Sequence, residues 1–258
     1  MRTGKLPIQT SRYTSDPMPF PALKRKVVYE NNPLAEVSAR FVFSPLIRIE
    51  NDRGAELQES LRDLYPYRVP EEEEDARELL SDDAHWKVSI GSSLLGLSTT
   101  VYTRWNIFRK RLHDATDTFV DVYGAPKLLG AQLMYRDVIS RRQLDCLDEP
   151  WTALLNSSLH GELGSANIGT QVEQVYRRAE LQLDECPGRL TLTHGFDHTE
   201  DAEQVYVLES LFSHLFQGEM DDGYEHLESF HDVAGRVFRW AITDELHERL
   251  EPRPTGRE

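Results

Sequence analysis

Residues 127–140 read KLLGAQLMYRDVIS. Apolar side chains fall on both faces for much of this stretch, which suits a strand buried in the middle of a sheet. Working outward, further strands come in runs. Towards the N-terminus, residues 33–43 alternate, with Val37, Ala39, Phe41 and Phe43 on one face and Glu36, Ser38 and Arg40 on the other, until Pro45. Trp86, Val88 and Ile90 alternate with His85, Lys87 and Ser89. Leu95, Leu97, Thr99 and Val101 follow, and Gly91 between the two sets suggests a hairpin. Towards the C-terminus, strands are predicted at about 171–183, 189–196 and 203–215.

Helical periodicity separates the runs. Leu57, Leu61 and Leu64 predict a helix that stops before Pro66. The clearest helix covers 104–123, where Trp105, Phe108, Leu112, Ala115, Phe119 and Val122 recur at steps of three or four, and Gly124 and Pro126 end it. A short helix is predicted from Pro150, 160–170 reads as a glycine-containing loop, and a long amphipathic helix runs over 224–250 until Pro252. Strands in runs give an α+β fold: a largely antiparallel sheet packed with two long amphipathic helices. The order βαββα over 33–123 and βαβββα over 127–250 raises a pseudo-duplicated βαββα arrangement, although no residue motif repeats between the halves. The expected organisation is an arm over 1–26, one domain over 27–251 and a tail over 252–258.

Charge narrows the function classes. The 258 residues carry 29 Lys+Arg against 44 Asp+Glu, a net −15. Six cations in residues 1–26 face only Asp16, so this proline-containing arm is +5 and the rest of the chain is −20. A nucleic-acid binder needs the opposite balance, which makes nucleic acid an unexpected partner for the folded body. The arm reads as disordered or loosely attached, and the acidic run 71–83 as a solvated loop or helix start. No apolar run is long enough for a membrane span, and the first thirty residues lack a secretory h-region, leaving the cytoplasm as the expected compartment.

Familiar catalytic motifs are missing. There is no G-x-x-x-x-G-K, no G-x-G-x-x-G after a strand and no G-x-S-x-G elbow. Cys146 and Cys186 are flanked by carboxylates, which disfavour the reactive thiolate. His194 and His198 could hold a metal only with a third ligand such as Asp197, and read better as a core histidine and a surface histidine. Glu228 and His231 form one E-x-x-H unit. Its nearest analogue, Asp244 and His247, falls on another side of the predicted helix. No metal or cofactor is expected.

Four stretches, in order, resemble a family of sporadically distributed prokaryotic proteins of unknown function. They are Pro33-Leu34-Ala35-Glu36-Val37, Tyr102-Thr103-Arg104-Trp105, Leu133 to Ile139, and Phe230-His231-Asp232 with Phe238 and Ile242-Thr243. The resemblance covers about 31–250. Family members typically read Arg-Tyr-x-Asn in the central strand, where this chain has Met134 before Tyr135 and Asp137 in place of Asn. A late strand that often carries Asp has Glu209. The resemblance implies a fold class and an association with mobile or defence loci, with no reaction attached.

Two functions are therefore expected. The first is a non-catalytic component acting through a protein partner, suggested by the acidic body and basic arm, within a defence or toxin–antitoxin type module. The second is a small-ligand-binding module or enzyme with a carboxylate-lined pocket between sheet and helices, drawn from Glu36, Arg40, Tyr135, Arg136, Asp137 and Glu209. Buried charges there would have to pair, either with one another or with a ligand.

Overall fold

The computed structural model describes residues 20–21, 27–52, 54–69, 76–184 and 186–254. In chain order the elements are β1 (Val27–Tyr29), β2 (Leu34–Phe43), α1 (Ile47–Asp52), α2 (Ala55–Leu61), β3 (Tyr67–Arg68), β4 (Ala76–Leu80), β5 (Trp86–Gly91), β6 (Leu94–Thr99), α3 (Trp105–Tyr123), β7 (Leu128–Ile139), α4 (Trp151–Leu154), β8 (Tyr176–Gln182), β9 (Arg189–His198), β10 (Gln204–Gly218), α5 (Met220–Ala241), α6 (Asp244–Arg249) and β11 (Pro252–Pro254). Nine strands form one antiparallel sheet in the order β3-β4-β5-β6-β2-β7-β10-β9-β8. Strand β7, the stretch quoted first, lies in the interior of the sheet, next to the middle strand β2 and with β10 on its other side.

One face of the sheet carries the main core. Val37, Ala39, Phe41 and Phe43 of β2 are buried, as are Ala131, Leu133 and Tyr135 of β7 and Leu208 and Phe212 of β10. The two longest helices cover this face. Helix α3 buries Trp105, Phe108, Leu112, Ala115 and Phe119, with Phe119 against Phe43 at 5.3 Å between ring centroids. Gly124 ends it at φ +83, its N–H donating to the Val120 carbonyl at 2.8 Å. Helix α5 starts in a capping box between Glu219 and Asp222 and buries Leu227, Phe230, Val233 and Val237, with Phe230 stacked on Phe212 at 5.7 Å.

The structure departs from the periodicity in several places. The long helix expected to Leu250 breaks at Ile242–Thr243. There Ile242 bridges Leu155, and Thr243 binds the 153–154 backbone, its N–H donating to Leu154 O at 3.0 Å and its hydroxyl to Ala153 O at 2.7 Å. Thr243 Oγ1 also accepts from Leu246 N at 3.3 Å, capping α6. The apolar stripe survives because Leu246 and Leu250 remain buried, now in a second core with Trp151, Tyr206 and Phe196. Leu64 lies past the end of α2 and is exposed. Val101 lies outside β6, which ends at Thr99.

Within the acidic run, Ala76–Leu80 is a strand rather than a loop or helix start, because Leu79 is buried and the segment pairs with β5. Residues 70–75 lie outside the described residues. So does the arm apart from Phe20 and Pro21, and Phe20 is buried edge-on against Trp240 at 5.4 Å. Pro252–Pro254, expected to begin a tail, pairs antiparallel with β1 instead.

Candidate functional site

A cavity of about 170 Å³ lies between the helix-covered face of the central strands and α5. Its floor is Tyr135 and Asp137 of β7 with Ser210 of β10, and one wall is His231, Ala234 and Phe238 of α5. Tyr29 from β1, Leu34 from the start of β2, and Tyr102 and Thr103 before α3 close the other sides. Strand alternation explains why these side chains meet: Tyr135 and Asp137 are two residues apart on one face, and Ser210 sits opposite Tyr135.

Asp137 is the unusual member. Only 7% of it is exposed, and no hydrogen bond or ion pair joins its carboxyl to any described residue. Burial alone pushes its pKa up to about 8, so the carboxyl is largely protonated at neutral pH. Several other polar groups of the cavity are engaged. Tyr135 Oη lies 2.9 Å from His231 Nδ1, and the His231 ring stacks on Trp105 at 4.6 Å and 7°. Trp105 Nε1 donates to Glu228 Oε2 at 2.7 Å, and Arg109 approaches the other Glu228 oxygen at 2.9 Å. Burial and then Tyr102 hold Tyr135 well above the usual phenol range. Burial likewise raises Tyr29 to about 12, against the opposing charge of Arg239. His247 is lowered by burial and by Arg239, and its Nδ1 lies 2.9 Å from the Tyr29 hydroxyl.

Of the six residues expected to form a site, Tyr135 and Asp137 line the cavity. Glu36, Arg136 and Glu209 fall in one cross-strand row on the opposite face, half-exposed, with Arg136 directly across from both carboxylates. Arg136 also reaches Asp197 at 3.4 Å. Arg40 is exposed, across from Gln132 and Gly96. A single carboxylate-lined pocket holding all six is therefore not what the structure builds, since odd and even positions of a strand face opposite ways.

The histidine candidates also find their places. His194 is buried with Nδ1 2.6 Å from Tyr206 Oη, while His198 is exposed. Glu228 and His231 are held by Trp105 and Tyr135. Among the described residues, no group of three His, Cys, Asp or Glu could hold a metal ion. Both cysteines are buried, and burial raises the Cys146 thiol. No described helix is long and apolar enough to cross a membrane.

Tyr29, Tyr102, Ser210 and Phe238 were not singled out as site residues by spacing or motif chemistry, and His231 was weighed only as part of an E-x-x-H unit. Three of them nevertheless belong to the stretches that carry the family resemblance. Each of those four stretches contributes wall: Leu34, Tyr102 and Thr103, Tyr135 and Asp137, His231 and Phe238. No protein-family model matches the chain, and no curated protein matches it. The resemblance thus stands on its motifs alone.

A second hollow of about 390 Å³ lies between α2 and α3. Its charged groups include Lys110 and Asp114, exposed and ion-paired with each other at 2.9 Å. It is larger, but it presents no buried polar group in want of a partner.

Proposed function

We propose that the chain is a non-catalytic small-ligand-binding module whose site is the cavity between β7, β10 and α5. The observation that supports this is Asp137, a buried residue whose carboxyl faces the cavity with no partner among the described residues. A carboxyl held largely out of water without a protein partner gives up solvation that a ligand supplying the partner would restore. Binding is favoured over turnover because no nucleophile among the described residues is hydrogen-bonded to this acid. The strand order supports reading the module as a duplicated unit. Strand β2 is followed by β4-β5-β6 and α3, β7 by β8-β9-β10 and α5, and β2 and β7 meet at the centre. The cavity lies along that seam. The expectation of a protein partner rested on the lack of a complete catalytic set, the acidic body and the basic arm, and of the arm only Phe20 and Pro21 lie within the described residues.

The test is a screen of single-ring compounds by ligand-observed NMR on the full chain and on Ser210→Leu, which fills the cavity floor. Saturable binding to the wild type and its loss in Ser210→Leu are expected. Binding unaffected by the filled floor, or no binding by any ring compound, would overturn the reading.

A further inference from the structure

We propose that the ligand is a small organic monocation, an amine attached to a single ring or a short apolar chain, with its ammonium group against Asp137. This rests on the cavity being a ligand site, and adds the class of ligand. Three features of the cavity point the same way. First, the group without a partner among the described residues is an acid, and none of the described residues that line the cavity is a Lys or Arg that would balance an anionic ligand. Second, the surrounding apolar surface is largely aromatic. Tyr29, Tyr102, Tyr135 and Phe238 line the cavity, and electron-rich ring faces attract ammonium groups, most strongly where water is excluded. Third, the size is right for one ring: about 170 Å³ is close to the roughly 150 Å³ in which an engineered apolar cavity accommodates benzene.

An inorganic cation is a poorer fit. A metal ion would need several anionic or imidazole ligands, and Asp137 has no second carboxylate or free imidazole beside it in any three-residue group among the described residues. A neutral hydrogen-bonding ligand would be satisfied equally by an amide at this position, which provides the discriminating variant. The other titratable groups facing the acid are Tyr29 on β1, Tyr102 before α3, Tyr135 on β7 and His231 on α5. The phenols of Tyr29 and Tyr135 are held protonated by burial, so they present no competing negative charge.

Benzylamine and benzyl alcohol, nearly equal in shape, are the probes. Isothermal titration on the full chain at about pH 8 is expected to show benzylamine binding at least about tenfold more tightly than benzyl alcohol. In Asp137→Asn, benzylamine is expected to weaken about tenfold or more while benzyl alcohol holds its affinity. Equal binding of the two probes by the wild type would overturn the cationic class and leave the cavity reading intact. Binding of neither probe would overturn both. The wild-type comparison needs no variant, so a poorly folding Asp137→Asn would not remove the test.

Discussion

Replacing Asp137 by asparagine converts a titratable carboxyl into an amide of nearly the same shape, and its effect on stability has a sign fixed by burial. The folded protein holds this acid at about 8, against an ordinary value of 3.8. Between those values the folded state retains a proton that the unfolded chain has released. Stability therefore falls as pH rises through the interval, by about 1.4 kcal/mol per pH unit for one such group. Below about pH 4 both states are protonated and the effect vanishes; above about pH 8 both are ionised and it levels off. From pH 5 to pH 7 the wild type should lose roughly 3 kcal/mol relative to Asp137→Asn, and less if water enters the cavity and solvates the ion. Near pH 7 the variant should be the more stable by on the order of 2–4 kcal/mol. Other carboxylates work in the opposite direction: hydrogen bonds from Ser81 hold Asp83 low, and hydrogen bonds from its own backbone and from Arg177 hold Glu162 low. Both proteins carry these groups, so the difference between them cancels their contribution. The assay is urea unfolding of the two proteins at pH 5, 6, 7 and 8, followed by tryptophan fluorescence. A difference that does not change with pH, or a wild type that gains on the variant as pH rises, would refute the burial of an unpartnered acid.

Other perturbations read other parts of the fold. Phe20→Ala should cost about 3–4 kcal/mol in urea unfolding, because Phe20 is buried against Trp240; no loss would mean that this residue is not docked. Thr243→Ala should cost about 1–2 kcal/mol by the same assay, since it removes both the α6 cap and the hydroxyl bond to Ala153. Tyr206→Phe leaves His194 Nδ1 without its buried partner and should cost about 1–2 kcal/mol, whereas an unchanged midpoint would contradict that hydrogen bond. Cys146 and Cys186 should react with an aromatic disulfide reagent only as the protein unfolds, because both are buried and the Cys146 thiol is raised; fast labelling of the native protein would contradict this.

The framework of the fold was legible because most of its strands and the helices α3 and α5 carry strong periods. The buried row of β2 is the apolar row read from 33–43, and α3 buries five of the six residues of its predicted stripe, from Trp105 to Phe119. What escaped was nonlocal. The break at Ile242–Thr243 is dictated by the 153–155 backbone, nearly ninety residues earlier, and the stripe runs on across the break because α6 resumes burial. The pairing of Val27–Tyr29 with Pro252–Pro254 joins segments too short to show a period. The site was half legible for a related reason. Polar residues inside strands were the right signal, but a two-residue repeat sends Asp137 inward and Arg136 outward, and the sequence alone left open which face the helices cover. Tyr29 and His231 reach the cavity from elements far apart in the chain, and only the assembled sheet and α5 bring them to Asp137.

The most direct test of an ammonium group held by Asp137 counts protons. At pH 7 an acid raised to about 8 is about nine-tenths protonated, so pairing it with an ammonium ion must expel nearly one proton to the solvent. Isothermal titration of benzylamine into the full chain at pH 7, in two buffers of different ionisation enthalpy, measures that number. One-site binding with release of close to one proton is the expected result. Binding with no proton release, or no saturable heat in either buffer, would contradict it.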